Sequence, residues 1–255
     1  MPEDRESPPW ANAGLPRPFV IQEIAQETGR VKRFALSGPL PAQPGQFAML
    51  WLPGIDEKPF SLMHDDPLTI AVAQVGPFTE ALHARRTGDS VWARGPFGRG
   101  FTIVGARLLL IGGGYGAAPL AFLARRARAQ GAHVAAVLGA RTAGDLLLPG
   151  HFRSLGCEVL TCTDDGSDGH CMLADEAARR ALDAGAYDAL YACGPAPMLA
   201  AVEALARQRE LPAQLSREAF MRCGIGVCGS CSCGDQLVCR DGPVFAVGGA
   251  PGLAR

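Results

Sequence analysis

The sequence predicts an antiparallel β-barrel, then a parallel α/β domain, then a small cysteine-rich C-terminal module. Three observations carry that expectation. Between residues 15 and 104, short strand-like runs recur, each bounded by Gly, Pro or Asp, the pattern of a barrel or sandwich. Between 105 and 212, apolar strands alternate with helical segments, which implies a parallel sheet with helices on both faces. From 213 to 255 the chain is rich in Cys and Gly, and such a piece is too small to fold on an apolar core alone.

Composition sets the limits. With 255 residues there is room for two modest domains, and 48% hydrophobic residues supply their cores. A net charge of −1 offers no basic face to nucleic acid or to an anionic membrane. Residues 107–124, RLLLIGGGYGAAPLAFLA, are apolar but broken by four glycines and a proline; no run approaches the roughly 18 residues of a membrane helix. Residues 1–14 are polar, acidic and proline-rich, without the basic start and apolar run of a signal peptide. They are expected as a disordered lead-in, and the chain as a cytoplasmic protein.

In order, residues 19–28, 30–38, 46–54, 58–66, 67–76 and 89–98 read as barrel strands, with one short helix over 79–89. In the α/β region, 106–114, 133–143, 157–166 and 187–195 read as strands, and 117–130, 173–185 and 197–210 as helices. The turn after the first of these strands holds Gly112, Gly113, Gly114 and Gly116, where a dinucleotide pyrophosphate can meet a helix N-terminus. The same glycines also suit close strand–helix packing. Cys193 and Gly194 end a later strand at the same carboxyl edge, where ligands of open α/β sheets bind. There Cys193 is a candidate neighbour of a nicotinamide ring, or simply a small buried residue. Asp165, beside Asp164, ends another strand at that edge and is a candidate ribose contact.

Nine cysteines all follow residue 156, and five of them lie within 223–239. A disulfide scaffold would spread them through a small secreted domain. Cys223, Cys228, Cys231 and Cys239 have the spacing C-x4-C-x2-C-x7-C. The first three match the plant-type run of a [2Fe–2S] cluster, with a fourth thiolate further on. A structural zinc site is the alternative, although zinc ribbons carry two C-x2-C pairs and here there is one. Cys233 is either a spare thiol or a competitor for the place of Cys231 or Cys239. His64, His83, His133, His151 and His170 show no metal-ligand spacing.

The segments KPFSL, GPFT, GPFGRGF, GGGYGAAP, CGPAPML, the cysteine run and DGPVF follow in one order. Together they resemble the electron-transfer subunits of NAD-dependent dihydroorotate dehydrogenases, within the ferredoxin–NADP reductase superfamily. The resemblance spans residues 17–249. It implies a barrel that binds FAD, an α/β domain that binds NAD(H), and a [2Fe–2S] module held by Cys223, Cys228, Cys231 and Cys239. It assigns FAD to Lys58, Pro59, Phe60 and Ser61, to Ala71, Val72 and Ala73, and to the loop of Gly76, Phe78 and Thr79. Three departures stand in that site: Lys58 offers a point charge where the family has an Arg fork, and Phe60 and Phe78 replace a tyrosine and a glycine. It further implies an FMN-containing catalytic partner subunit in a heterotetramer, and dihydroorotate oxidation to orotate in pyrimidine biosynthesis. A reductase subunit of another complex, such as a sulfhydrogenase or a ferredoxin-linked transhydrogenase, shares the same domains.

Overall fold

The structure, a computed structural model, describes residues 14–247; the expected lead-in lies outside them except for Gly14. Six strands close a barrel: β1 (Arg17–Gln26), β2 (Val31–Leu36), β3 (Phe47–Leu52), β4 (Asp56–Asp65), β5 (Leu68–Ala73) and β6 (Ser90–Phe97), in the order β1-β2-β5-β4-β3-β6. All neighbouring pairs are antiparallel. Inward-facing Phe34, Leu36, Leu50, Leu62, Ile70 and Val91 fill it, as alternation along a half-buried strand requires. The helix read over 79–89 is α1 (Pro77–His83). It stops early because Asp89 turns the chain, its carboxylate accepting the Arg86 N–H at 2.8 Å.

The second layer is a six-stranded sheet. Its strands are β7 (Arg107–Gly113), β8 (His133–Ala140), β9 (Glu158–Thr163), β10 (Ala189–Cys193), β11 (Ala213–Ser216) and β14 (Val244–Val247), in the order β14-β11-β10-β7-β8-β9. Helices α2 (Ala117–Ala129), α3 (Pro149–Ser154), α4 (Ala174–Ala184) and α5 (Ala196–Gln208) connect them. Apart from Arg107 at the start of β7, the residues of β7 and β10 are buried on both faces between two clusters, which is why they read as continuous hydrophobic runs. Helix α3 is too short to leave a periodic signal.

A boundary at 212/213 is corrected by the hydrogen bonding. β11 lies parallel to β10, and β14 lies antiparallel to β11, so both belong to the sheet. The cysteine-rich module is therefore a loop inserted between two sheet strands, with a small hairpin, β12 (Ser232–Cys233) and β13 (Gln236–Leu237), and one helical turn, α6 (Val238–Asp241).

The two layers share side chains. Phe122 of α2 packs into the barrel core, while Val31 and Met63 of the barrel join the core on one face of the sheet. The connecting segment is clipped from the sheet side. The Tyr191 hydroxyl donates to the Thr102 carbonyl (3.0 Å) and accepts the Val104 N–H (2.8 Å). Gln214 bonds Thr102 in both directions, at 2.8 and 2.6 Å.

Candidate functional site

At the carboxyl edge of the sheet, the β7–α2 and β10–α5 turns meet backbone to backbone. A Cβ on Gly116 would overlap the Cys193 carbonyl, and one on Gly113 would lie 2.7 Å from the Met198 sulfur and 2.9 Å from Pro195. These glycines are consumed by turn–turn packing. Gly114 differs: it has φ +53° and nothing within 4 Å of the Cβ position, so its backbone faces open space. Cys193 is buried below this edge. Desolvation pushes its thiol up to about 12 against a hydrogen bond with Ser216, so it stays protonated and unreactive. Asp165 is exposed, and its carboxylate accepts the Ser167 hydroxyl (2.6 Å) and N–H (3.0 Å); these bonds hold it below the usual carboxylate range.

On the barrel, Lys58, Pro59, Phe60 and Ser61 lie in β4, paired with β3 from Leu50 to Phe47. Lys58 pairs with Asp56 at 2.5 Å. Phe60 packs on the barrel core and meets the buried Phe78 ring at 5.8 Å between centroids. Ala71 and Ala73 of β5 pack against the sheet-side core, while Val72 points into the barrel. In the loop that follows, the Thr79 hydroxyl is spent internally. It donates to the Gly76 carbonyl (2.8 Å) and accepts the Val75 and Gly76 N–H groups (2.9 and 3.0 Å). Thr79 thus shapes the turn and has no hydroxyl left for a phosphate; the space over Gly76 stays open.

Two cysteines of the inserted loop form a close pair. Cys231 and Cys239 are buried with Sγ atoms 3.2 Å apart. Cys228 is exposed, with its Sγ 3.4 Å from the Ser230 hydroxyl, and Cys223 is partly buried at the start of the loop. Gly226, at φ +80°, turns its N–H onto Cys239 Sγ at 3.2 Å, and the Cys239 N–H reaches Cys231 Sγ at 3.4 Å. Partial burial works against the Cys223 thiolate, yet the N–H groups of Cys228, Ile225 and Val227 bring its thiol down to about 6. The Ser230 hydroxyl lowers Cys228. Burial, then the neighbouring Cys231, pushes Cys239 up to about 12. Cys233 is exposed on the β12–β13 hairpin, with Arg217 Nη1 4.0 Å from its sulfur. Among the described residues no three His, Cys, Asp or Glu side chains converge on one point.

The loop's missing core comes from the barrel. Phe47, Met49 and Phe97 pack with Met221, Cys231, Val238 and Cys239. Arg94 of β6 fastens the two: its guanidinium grips both Glu57 carboxylate oxygens at 2.6 Å and donates to the Cys223 carbonyl at 2.8 Å. Sequence reading passed over Arg94 and Glu57, because only barrel closure brings them to the cysteine loop.

Comparison with known proteins decides the family. A Methanocaldococcus jannaschii protein named "Probable dihydroorotate dehydrogenase B (NAD(+)), electron transfer subunit" is 40% identical over 227 residues, covering 88% of this chain and 87% of the relative. A Pyrococcus furiosus protein of the same name is 43% identical over 227 residues, covering 89% and 88%. The chain belongs to this family. Residues 218–248 of this chain match the model of the iron–sulfur cluster binding domain of dihydroorotate dehydrogenase B. The match encloses all five cysteines of the inserted loop. The chain's fold is similar to that of an NADH-dependent reduced ferredoxin–NADP oxidoreductase, with TM-score 0.81 and 28% identity over 89% of this chain and 87% of the other. An Amycolatopsis cytochrome P450 reductase gives TM-score 0.65 at 27% identity, covering 76% and 67%. Among the described residues no helix is long and apolar enough to cross a membrane.

The residues fit the groups that such a subunit implies. Four thiols in one loop, with the Gly226 and Cys239 N–H groups set against the close Cys231–Cys239 pair, suit two irons with two thiolates apiece. One zinc needs its donors around a single centre. Open space over Gly76 on the barrel and Gly114 on the sheet leaves room for phosphates against bare backbone.

Proposed function

We propose that this chain moves electrons between NAD(H) and a dihydroorotate-oxidising partner subunit, through FAD and a [2Fe–2S] cluster. The observation that carries this reading is the four-cysteine loop packed on the barrel, with the Cys231 and Cys239 sulfurs buried 3.2 Å apart. When bound, nicotinamide supplies two-electron hydride chemistry, and the flavin links it to one-electron exchange at the cluster.

The chain's own residues position and insulate. Cys223, Cys228, Cys231 and Cys239 hold the irons, and the Gly226 N–H offsets thiolate charge. Lys58 and Ser61 of β4, with the Gly76–Phe78 turn, hold the FAD, and Phe60 closes the barrel side of its pocket. The Gly114 backbone receives the dinucleotide pyrophosphate, and Asp165 faces the ribose. Cys193, buried and protonated, shapes the edge as packing and takes no part in proton or electron transfer. No side chain here needs to act as acid or base. The protein works in the cytoplasm, in a heterotetramer with an FMN-containing catalytic subunit.

The test is anaerobic purification with iron, sulfide, zinc and flavin analysis, followed by reconstitution with a dihydroorotate dehydrogenase catalytic subunit. Flavin and about two irons per chain, with dihydroorotate-dependent NAD⁺ reduction, are expected. A colourless chain with one zinc sinks the proposal. The likeness to the ferredoxin–NADP oxidoreductase favours one second reading, a reductase subunit of a ferredoxin-linked complex. Reduction of ferredoxin without any response to dihydroorotate would select it.

A further inference from the structure

We infer that Arg94 is a positioning residue for electron exchange between the flavin and the cluster; this rests on the function proposed above. Pro59 of β4 is the partner of Met49 of β3, and Met49 is in turn the partner of Arg94 of β6. One rung of the barrel therefore runs from the flavin segment to Arg94. Side chains alternate along β4, so Glu57 and Pro59 share one face while Lys58 and Phe60 share the other. Phe60 packs into the barrel core, and Glu57 turns toward the cysteine loop.

Arg94 ties that outer face to the cluster ligands. It is nearly buried, with 11% of its side chain exposed against 23% for Glu57. Its fork takes both Glu57 oxygens at 2.6 Å, and Nη2 also takes the Cys223 carbonyl at 2.8 Å. The guanidinium lies 5.3 Å from the Phe97 ring centroid. The next residue of the loop rests on the same rung, since a Cβ on Gly224 would lie 2.9 Å from Met49 Cγ. Bidentate pairing fixes direction as well as distance. The first cluster ligand is thereby held to the residue adjoining Lys58 through two charge-assisted contacts.

The step served moves one electron at a time. Cys223, Cys228, Cys231 and Cys239 would hold the acceptor of each electron; a bound flavin would supply two electrons singly, with its protons passing to solvent only as both are given up. Arg94 touches neither reacting centre. It sets their separation and orientation, and leaves a positive charge beside the Cys223 peptide.

The experiment uses the full chain loaded with FAD and cluster, as wild type, Arg94→Gln, Arg94→Lys and Glu57→Gln. Stopped-flow absorbance follows flavin reduction by NADH, freeze-quench EPR follows reduction of the cluster, and iron and flavin are assayed in each preparation. For Arg94→Gln, flavin reduction stays within about twofold of wild type, while cluster reduction slows at least about tenfold and the EPR signal shifts, because small misplacements of reacting groups cost heavily. Arg94→Lys keeps the charge without the fork and restores the EPR signal more than the rate. An unchanged rate and EPR signal in Arg94→Gln at matched iron content overturns the inference. If Arg94→Gln binds no iron, Glu57→Gln decides: it leaves the Cys223 contact in place, and slowed cluster reduction supports the role, whereas wild-type kinetics overturn it. A wild-type chain lacking iron or flavin would instead refute the underlying function.

Discussion

Gly116 lies so close to Cys193 that no side chain can stand between them: a Cβ would overlap the Cys193 carbonyl oxygen. Two turns from different parts of the chain are thereby fused into one edge. Backbone atoms of a strand end cannot yield as a flexible side chain can. Gly116→Ala is expected to destabilise the fold by about 3 kcal/mol or more, at the upper end of overpacking costs. Gly114→Ala, with nothing within 4 Å but φ +53°, should cost only about 1–2 kcal/mol while weakening NAD(H) binding. Denaturation midpoints and NADH titrations of the two variants check this; equal stability losses would contradict it.

Buried thiols make the fold sensitive to alkali. Burial raises Cys193 to about 12 and Cys157 and Cys162 to about 11, from an ordinary value of 9.0. The folded chain keeps these protons where the unfolded chain releases them. Their contribution is therefore complete below about pH 9 and declines as pH rises from there toward 11 and 12. Urea titrations at pH 8 and pH 10.5 should show the loss, and Cys193→Ala should flatten it. An identical slope in Cys193→Ala would remove Cys193 from the account.

Cys233 and Cys239 should part company on substitution. Cys239→Ser breaks the buried pair with Cys231 and is expected to lose most of the iron and the visible absorption. Cys233→Ser, at an exposed hairpin position, should retain both. Iron analysis and EPR decide, and loss of the signal in Cys233→Ser would exchange the two assignments.

Tyr191→Phe removes the hydroxyl that clips the barrel-to-sheet connection and leaves the Val104 N–H and Thr102 carbonyl one partner short. A cost of about 1–3 kcal/mol follows, read by thermal unfolding, with flavin and iron content unchanged. A neutral outcome would mean that water reaches this junction.

Much of this architecture was legible in the sequence because its signals are local. The turn residues flanking β1 to β6 and the continuous apolar runs of β7 and β10 announced both layers. The spacing of Cys223, Cys228 and Cys231 announced the loop. What escaped was non-local. The short polar-flanked β11 and β14 carry little pattern, and only their pairing assigns them to the sheet. The resemblance assigns Thr79 to the FAD site; only the fold shows that the Val75 and Gly76 N–H groups have claimed its hydroxyl. The glycines after β7 admitted two readings, and the approach of Cys193 separates Gly116 from Gly114. Arg94 has no motif at all, since its partners Glu57 and Cys223 lie far along the chain in opposite directions.

Ser216 and Val244 face each other as register partners across the last rung of the sheet. Everything between them is a detour that leaves the sheet and returns to the same place. Such an arrangement behaves like a socket: the wiring can be unplugged without dismantling the housing. Iron loss would leave the barrel and sheet standing, and a short turn from Ser216 to Val244 would give a reductase without its one-electron outlet. The position also supplies a physical route by which a two-domain flavoprotein could gain or shed an electrical contact in a single insertion.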